Sequence, residues 1–337
     1  MKRTMGMRPR PILSVRLAIG WFLLTFLCGC QNPFSQPPLV GIILWNQDMQ
    51  SYDEILQGAI EGLREEGYLD GLNLRLEVTN ATGDRGRAAG AVSKLKEQGA
   101  RLIITLGTIS TLVALDVLQG SSLPVVYSGV GAPAAAGLDD KFAAGRATGA
   151  SMEVPVAEQL KFLILARPGL QRLGILLCTA TPPAVATGHA AEAAAREMGL
   201  RVVKATVTDE RPELLEKALT TLENKKVEAL FLSTDPVLAA PRNLKVISAR
   251  MLKARVPLMT PFASSITHGV LISYHADLVE VGRQAGRQAG RILSGASVRE
   301  VPPEIPRVKR LTLNLRAAES LGLPLTRQLL SRAHNLH

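Results

Sequence analysis

The stretch that most constrains the fold is residues 101–111, RLIITLGTIST. Its apolar run, 102–106, has no polar alternation and is followed by Gly107 and three hydroxyl side chains. A strand of this kind is buried on both faces, as parallel strands covered by helices are. The hydroxyls then lie at the start of a helix, where the first N–H groups have no partner inside the helix. The stretch therefore predicts a parallel α/β sheet that offers polar groups at a strand end.

Five more stretches combine an apolar run with a polar turn: residues 41–47, 124–131, 173–183, 230–236 and 257–265. Gly, Ser and Thr are also common in such turns for capping alone, and that interpretation stays open for any single stretch. Six stretches over both halves of the chain favour a cleft lined by strand ends, where open α/β sheets bind ligands.

The first 30 residues have the layout of a secretory signal. Five basic residues and no acid occupy residues 1–16, and the apolar segment 17–27 is too short to span a bilayer. The ending LCGC resembles the lipobox of bacterial lipoproteins, which implies cleavage before Cys30 and a lipid on its thiol. An ordinary signal peptide cut nearby is the alternative. We expect removal of residues 1–29, with 30–38 as a lipidated tether to a membrane.

Removal of this signal changes the charge and cysteine content. It leaves 34 Lys and Arg against 29 Asp and Glu, a net charge of +5. Aromatic residues make up only 4% of the chain and no basic–aromatic platform is present, so nucleic acid is not an expected partner. Cys178 then remains as a small core residue, with no internal disulfide expected.

The remaining 300 or so residues are more than one core usually serves, so two domains are expected. Alternating strand and helix patterns predict an α/β fold of two doubly wound, Rossmann-like lobes. Lobe one is predicted at 39–149 plus 275–305 and lobe two at 150–274 plus 306–330, with a tail at 331–337. The lobes would be joined by a three-crossing hinge.

Three local patterns give sharper predictions. Residues 51–54, SYDE, form a capping box that opens the first helix, and strand 73–80 turns Leu74, Leu76 and Val78 inward. The glycines of GRQAGRQAGR, residues 282–291, lie four apart on one helix face. Without a GK[ST] sequence a phosphate loop is disfavoured, and we expect close packing of this helix on the sheet.

Motifs of catalysis and metal binding are absent. There is no G-x-S-x-G, H-E-x-x-H or C-x-x-C, and G-x-G-x-x-G is incomplete. Of the five histidines only His334 and His337 have helical ligand spacing, and they lie at the C-terminus. We expect no metal, no cofactor and no enzymatic activity.

Residues 40–84, with the segment EGYLDGLN, resemble the opening of the ABC transporter substrate-binding family typified by tryptophan/tyrosine-binding lipoproteins. Further matching segments, 101–111, 124–138, 146–152, 229–236, 272–286 and 311–325, follow in the family's order and spacing, so the similarity covers roughly 38–332. It implies a type I periplasmic-binding fold whose lobes close on a small solute and present it to a membrane permease.

The resemblance also implies the ligand-binding residues, which share positions at or beside strand ends. Hydroxyls after residues 102–106 would bind a carboxylate or another polar head, and four aromatic side chains are candidates for stacking, with core packing as their alternative. The candidates are Trp45, Asn46, Tyr52, Thr108, Ser110, Thr111, Ser128, Gly129, Thr181, Ser233, Thr234, Asp235, Phe262, Tyr274 and Asp277.

One position departs from the family. Ala132-Pro133 stands where many members have Asp-Pro. That acid could pair with an amino group, so its loss argues against an α-amino-acid ligand unless Asp235 or Asp277 substitutes.

We expect an exported, membrane-anchored monomer that captures a small polar or aromatic solute for an ABC permease. A sensory lipoprotein that reports the solute to a membrane kinase is the alternative, and an exported enzyme ranks third. A permease gene beside this one would favour transport, a kinase gene would favour sensing, and turnover of a bound solute would favour the enzyme.

Overall fold

The computed structural model describes residues 36–46, 50–180, 182–209, 211–235 and 237–337. Cys30, the predicted signal peptide and residues 30–35 of the predicted tether lie outside the described residues. Residues 38–337 form one compact unit that contains two β-sheets.

The first sheet, with its helices, is called lobe one. Its strands are β1 (Leu39–Leu44), β2 (Arg75–Asn80), β3 (Leu102–Leu106), β4 (Val125–Val130) and β5 (Ala147–Ser151). They pair in the order β2-β1-β3-β4-β5, and every pairing is parallel. The connecting helices are α1 (Gln50–Glu65), α2 (Arg85–Glu97), α3 (Thr108–Val117) and α4 (Leu138–Ala143). All strands except β2 are buried along their length, which explains their continuous apolar runs.

The second sheet, with its helices, is called lobe two. Its strands are β6 (Arg172–Cys178), β7 (Arg201–Val207), β8 (Ala229–Leu232), β9 (Leu258–Thr260), β10 (Ile272–Ala276), β11 (Lys309–Leu313) and β12 (Asn335–Leu336). The order is β12-β11-β10-β9-β8-β6-β7, and only the β10–β11 pairing is antiparallel among the described strands. The helices are α5 (Val156–Ala166), α6 (Pro182–Glu197), α7 (Pro212–Asn224), α8 (Pro241–Lys253), α10 (Leu315–Leu321) and α11 (Arg327–Leu330).

The chain passes between the two lobes three times: after β5, after β10 and before β11. Between the last two crossings, α9 (Leu278–Leu293) packs against α1, β4 and β5 of lobe one. The predicted boundaries at 150 and 275 are each two residues early, because Ala150 and Ser151 pair with β4 while His275 and Ala276 pair with β11. The predicted tail is also corrected, since β12 pairs with β11 as an edge strand.

The glycines of α9 pack against a helix rather than the sheet, which corrects the prediction. A Cβ on Gly286 would lie 2.2 Å from the Ala59 carbonyl oxygen, and one on Gly282 would lie 2.1 Å from that of Ile55, both in α1. Gly58 and Gly62 of α1 face α9 in the same way. Two helices approach this closely only where both lack side chains. The glycine repeat of α9 therefore forms the contact between α9 and α1.

Two local predictions were partly wrong. Helix α1 begins at Gln50, so Ser51 lies inside its first turn rather than before it. In β2, Leu74 is buried just before the strand, but Val78 is 45% exposed. The reason is that β2 is an edge strand that pairs with β1 alone.

Candidate ligand-binding cleft

A recess lies between the lobes where the parallel strands of both sheets end. Lobe one contributes Ala132, and the first crossing contributes Met152, Glu153, Val154 and the following Val156. Lobe two supplies the remaining lining residues: Ala186, Thr187, Ala190, Thr234 and Pro261. The space is about 460 Å³, including the part open to solvent. The cavity volume proper is about 60 Å³, which is below the range of about 300–1,000 Å³ that is typical of small-molecule sites.

The two lobes approach each other beside this recess. A Cβ on Gly131, after β4, would lie 3.2 Å from Cγ2 of Thr234, after β8. A glycine at 131 therefore lets the two strand-end turns come together. Thr234 is half-buried and is the residue that both the sequence prediction and the recess geometry select.

The hydroxyls after β3 are used differently from the prediction. Ser110 is fully buried, and its Oγ donates to the carbonyl oxygens of Leu106 at 2.6 Å and Gly107 at 3.0 Å. Thr111 is also fully buried; its Oγ1 donates to the Gly107 carbonyl at 2.7 Å and lies 2.9 Å from Thr105 Oγ1. These two side chains satisfy their own strand-to-helix turn, which favours a structural role over direct ligand contact.

Thr108 and Tyr52 keep a place at the end of β3. Thr108 is the first residue of α3 and is half-buried. Gly107 before it has φ 94° and ψ 163°, and a Cβ there would lie 2.7 Å from the Tyr52 hydroxyl. The Tyr52 ring therefore covers this turn, and burial raises the pKa of Tyr52 to about 12.

Ser128 and Gly129 lie inside β4 rather than in a turn after it. Ser128 is fully buried and its Oγ donates to the Val281 carbonyl of α9 at 3.4 Å. Gly129 has φ 67°, and a Cβ there would lie 2.6 Å from Cδ1 of Ile55 in α1. Both residues therefore face the α1–α9 layer, and their contact with the ligand stays a prediction.

The acids proposed to replace the missing Asp are bound within the fold. Asp235 is fully buried and accepts backbone N–H groups of Cys178 at 2.8 Å and Val237 at 2.7 Å, so it links β6 to the turn after β8. Asp277 caps α9 through the Glu280 N–H at 3.1 Å and pairs with Arg310. Burial alone would raise the pKa of Asp277, but the Glu280 N–H and Arg310 outweigh it and lower that pKa.

Of the other lobe-two candidates, Ser233 and Tyr274 have partners within the fold, whereas Phe262 is half-buried in a turn. Ser233 is buried and its Oγ donates to the Leu176 carbonyl at 3.5 Å. Tyr274 packs against Phe162 of α5 with ring centroids 4.6 Å apart, and its hydroxyl donates to Glu158 at 3.3 Å. This is the core packing that the sequence analysis gave as the alternative to stacking on the solute. Phe262 is half-buried at the turn after β9.

The three remaining candidates are Trp45 and Asn46, after the first strand, and Thr181 of lobe two. Trp45 and Asn46 follow β1 and are half-buried, and Trp45 packs against the lobe-one core. Thr181 lies outside the described residues. Cys178 is fully buried at the end of β6, in agreement with a core role.

Most residues that line the recess were not among the predicted candidates. The α6 contribution comes from Ala186, Thr187 and Ala190, whose i, i+1, i+4 spacing is that of one helix face. Small side chains there leave room for a ligand, but they look like ordinary helix sequence. Glu153 carried a usable signal, because it is the acid that directly follows the small, extended segment 146–152.

Within the part of the chain that the structure describes, neither a metal-binding cluster nor a membrane-crossing helix is present. No group of three or more His, Cys, Asp and Glu side chains there is arranged to hold a metal ion. None of the helices in the same residues combines the length and apolar character needed to cross a membrane.

An α/β fold of two lobes with a recess at the strand ends defines a class of proteins that hold a small ligand between their lobes. The model of the family described as ABC transporter substrate binding protein matches residues 43–337. The chain belongs to this family, which confirms the family predicted from the sequence.

Known proteins and structures agree with this assignment. A tyrosine-binding protein of Clostridioides difficile strain R20291 is 22% identical over 254 residues, which cover 75% of this chain and 72% of that protein. A domain from Streptococcus pneumonia in complex with L-Trp is 21% identical with a TM-score of 0.73, covering 90% of this chain and 100% of that one. A substrate binding protein with adhesive properties from Clostridium difficile, in its ligand-free, open form, is 22% identical with a TM-score of 0.77, covering 88% and 98%. These likenesses confirm the predicted fold class.

Proposed function

We propose that this protein captures a small, amino-acid-like solute in the recess and delivers it to the permease of an ABC uptake transporter. The observation that carries the proposal is the position of the recess. It takes its lining from both lobes and from the crossing that joins them. A ligand bound there contacts each body that has to move during closure.

The names of similar proteins support the class of solute. One relative is a tyrosine-binding protein, one solved structure holds L-Trp, and a third neighbour, from Desulfitobacterium hafniense, is in complex with Leu. The recess of this chain is lined mainly by apolar side chains, with hydroxyls from Thr187 and Thr234. Such a lining suits an apolar or aromatic body with a polar head.

Lobe closure is the step through which binding would signal to the permease. Three chain crossings form a hinge of the kind that lets two domains close around a ligand. A solute shifts the equilibrium towards the closed form only as far as it binds that form more tightly. Contacts from Ala132 on one side and Thr234 on the other provide that difference, because a closed cleft brings both against the solute.

We also propose that the protein is exported and anchored by a lipid on Cys30, from the LCGC sequence at the end of the apolar segment. A lipid with more than one acyl chain gives stable membrane binding. The Cys30→Ser variant should lose the lipid and leave the membrane fraction, as measured by mass spectrometry and by immunoblotting of fractions. Cys28→Ser is the matched control and should stay anchored.

The test of solute binding uses the protein expressed from the full-length gene and purified in detergent. A ligand that binds only the folded state raises the melting temperature. We expect L-tryptophan, L-tyrosine or L-leucine to raise it and calorimetry to give one site per chain. Loss of labelled-solute uptake on deletion of the gene would support transport, whereas silence for all amino acids in both assays would contradict the proposal.

A further inference from the structure

Among the described residues, one ionisable side chain lines the recess. It is that of Glu153, and two others of the described lining residues, Thr187 and Thr234, bear hydroxyls. The rest of the lining is apolar. A site with this composition offers a negative charge to one point of the ligand and apolar surface to the remainder.

The backbone around Glu153 is fixed from both sides of the crossing. The Ser151 N–H donates to the Glu304 carbonyl and the Met152 N–H donates to the Val130 carbonyl, each at 2.9 Å. On the other side, the Gln159 side-chain amide donates to the Val154 carbonyl at 2.9 Å. Glu153 therefore projects from a segment anchored immediately before and after it, so a ligand pays little to order it.

Glu153 is an exposed residue, and its carboxylate has no protein partner in the described part of the chain. Among the described residues, no donor or cation lies within hydrogen-bond or ion-pair distance of it. The charged group beside it is Asp139 of α4, which has the same sign. Partial desolvation first, and then Asp139, raise the pKa of Glu153 from its ordinary value.

The other acids near the strand ends contrast with Glu153. Asp235 accepts three backbone N–H groups, including that of Leu238 at 3.3 Å, and Asp277 holds a helix N-terminus and Arg310. A ligand that recruited either acid would have to compete with those contacts. Glu153 can receive a cation without any such loss, and the cation would relieve its present environment.

We propose that Glu153 binds the ammonium group of the solute and so supplies, from the crossing, the negative charge that Ala132 does not provide on the facing side of the recess. This inference rests on the proposed function and deepens it, because it restricts the solute to molecules with a cationic head and an apolar or aromatic body.

The experiment compares Glu153→Gln with Glu197→Gln, an exposed glutamate at the far end of α6 that removes the same charge. The probes are L-tryptophan and L-tyrosine, with indole-3-propionate and 3-(4-hydroxyphenyl)propionate as their counterparts without the amine. Calorimetry on the full-length protein in detergent measures each affinity. We expect Glu153→Gln to weaken amino-acid binding about 10-fold to 100-fold, the usual loss for a hydrogen bond to a charged group, and Glu197→Gln to leave it unchanged.

The outcomes separate this inference from the proposed function. Amino-acid binding that survives Glu153→Gln within two-fold overturns the role of Glu153 and leaves solute binding intact. If the wild-type protein binds the amine-free acids as tightly as the amino acids, the role of Glu153 is overturned and the proposed solute binding is not. Wild-type protein that binds none of the four probes overturns both proposals.

A pH series gives a readout that a structural role for Glu153 would not produce. Protonation of a carboxyl with a raised pKa begins at a higher pH than for an ordinary glutamate, so wild-type affinity for L-tryptophan should fall as the pH is lowered over a range that begins above that of an ordinary glutamate. Asp139 is the charged group that faces Glu153, and no other residue of the described lining titrates. Glu153→Gln should show a flat profile over the same range, and a parallel fall in both proteins would contradict the proposal.

Discussion

The turn after β3 and the recess at the first crossing both lie at the cleft, but their polar side chains have different partners. In the turn, the Ser110 and Thr111 hydroxyls donate to main-chain carbonyls, and both residues are fully buried. In the recess, Glu153 is exposed and has no such partner among the described residues, and most of the described residues that line the recess with it are apolar. A polar group that the fold already satisfies stabilises the fold, and a group that the fold leaves unsatisfied is available to a ligand.

The largest expected effect on stability comes from a substitution at Gly107, in the turn after β3. Gly107→Ala places a side chain at φ 94° and within 3.0 Å of the Tyr52 ring and hydroxyl. We expect a loss of about 2–4 kcal/mol in the free energy of unfolding, measured with denaturant. Gly90→Ala in α2, where a Cβ meets nothing within 4 Å, is the control and should stabilise by about 0.5–1 kcal/mol. Equal effects would mean that the turn is not constrained as described.

Thr111→Val removes one hydroxyl from the turn and leaves the shape nearly unchanged. The Thr105 hydroxyl then loses its partner at 2.9 Å, so we expect a loss of about 1–2 kcal/mol in stability with ligand affinity unchanged. Thr221→Val in α7 removes an exposed hydroxyl that donates to the Lys217 carbonyl, and should cost less than about 0.5 kcal/mol. A large loss of affinity in Thr111→Val would return Thr111 to the ligand site.

Ala190→Leu fills part of the recess from α6. Ala190 is exposed and lines the recess, so the larger side chain should occupy ligand space without disturbing a core. We expect an affinity at least about 10-fold weaker, which is about 1.4 kcal/mol, with stability unchanged. The matched variant is Ala193→Leu, which alters an exposed alanine of α6 outside the recess. If Ala193→Leu weakens binding as much as Ala190→Leu, the ligand does not lie where the recess places it.

The smallest expected effect is that of Glu153→Gln on the stability of the ligand-free protein. The folded pKa of Glu153 is raised, so the folded chain keeps its proton over a pH range in which the unfolded chain has released it. Ionisation therefore destabilises the fold as pH rises through this range. Glu153→Gln should raise the melting temperature at pH 8 by less than about 2 °C and leave it unchanged near pH 3.5, as followed by circular dichroism. A lower melting temperature at pH 8 would show that Glu153 stabilises the empty protein.

The sequence predicted the sheet-forming strands well because each is an apolar run buried on both faces. Residues 102–106, for example, are β3 without a shift at either end. The glycine repeat of α9 was correctly interpreted as close packing, but its partner was wrong, since periodicity identifies a bare helix face and not what covers it. Strand β12 escaped prediction because it has two exposed residues, Asn335 and Leu336, and depends on pairing with β11.

The candidate site was harder to predict from sequence than the fold. A hydroxyl after a strand can donate to its own turn, as Ser110 does, or face a ligand, and the residue type is the same in both cases. Ala186 and Ala190 contribute through their small size, which leaves no chemical signature in the sequence. For Glu153 the sequence shows an acid directly after the small, extended segment 146–152, but only the three-dimensional arrangement shows that this acid lines the recess.

The most direct test of the cleft assignment is a crystal structure of the protein grown with L-tryptophan. We expect the amino acid between the lobes, with its ammonium group within hydrogen-bond distance of the Glu153 carboxylate and its ring against the apolar lining from Ala132 to Pro261. An amino acid ordered elsewhere, or held in the cleft with its ammonium group on Asp235 or Asp277, would contradict the account.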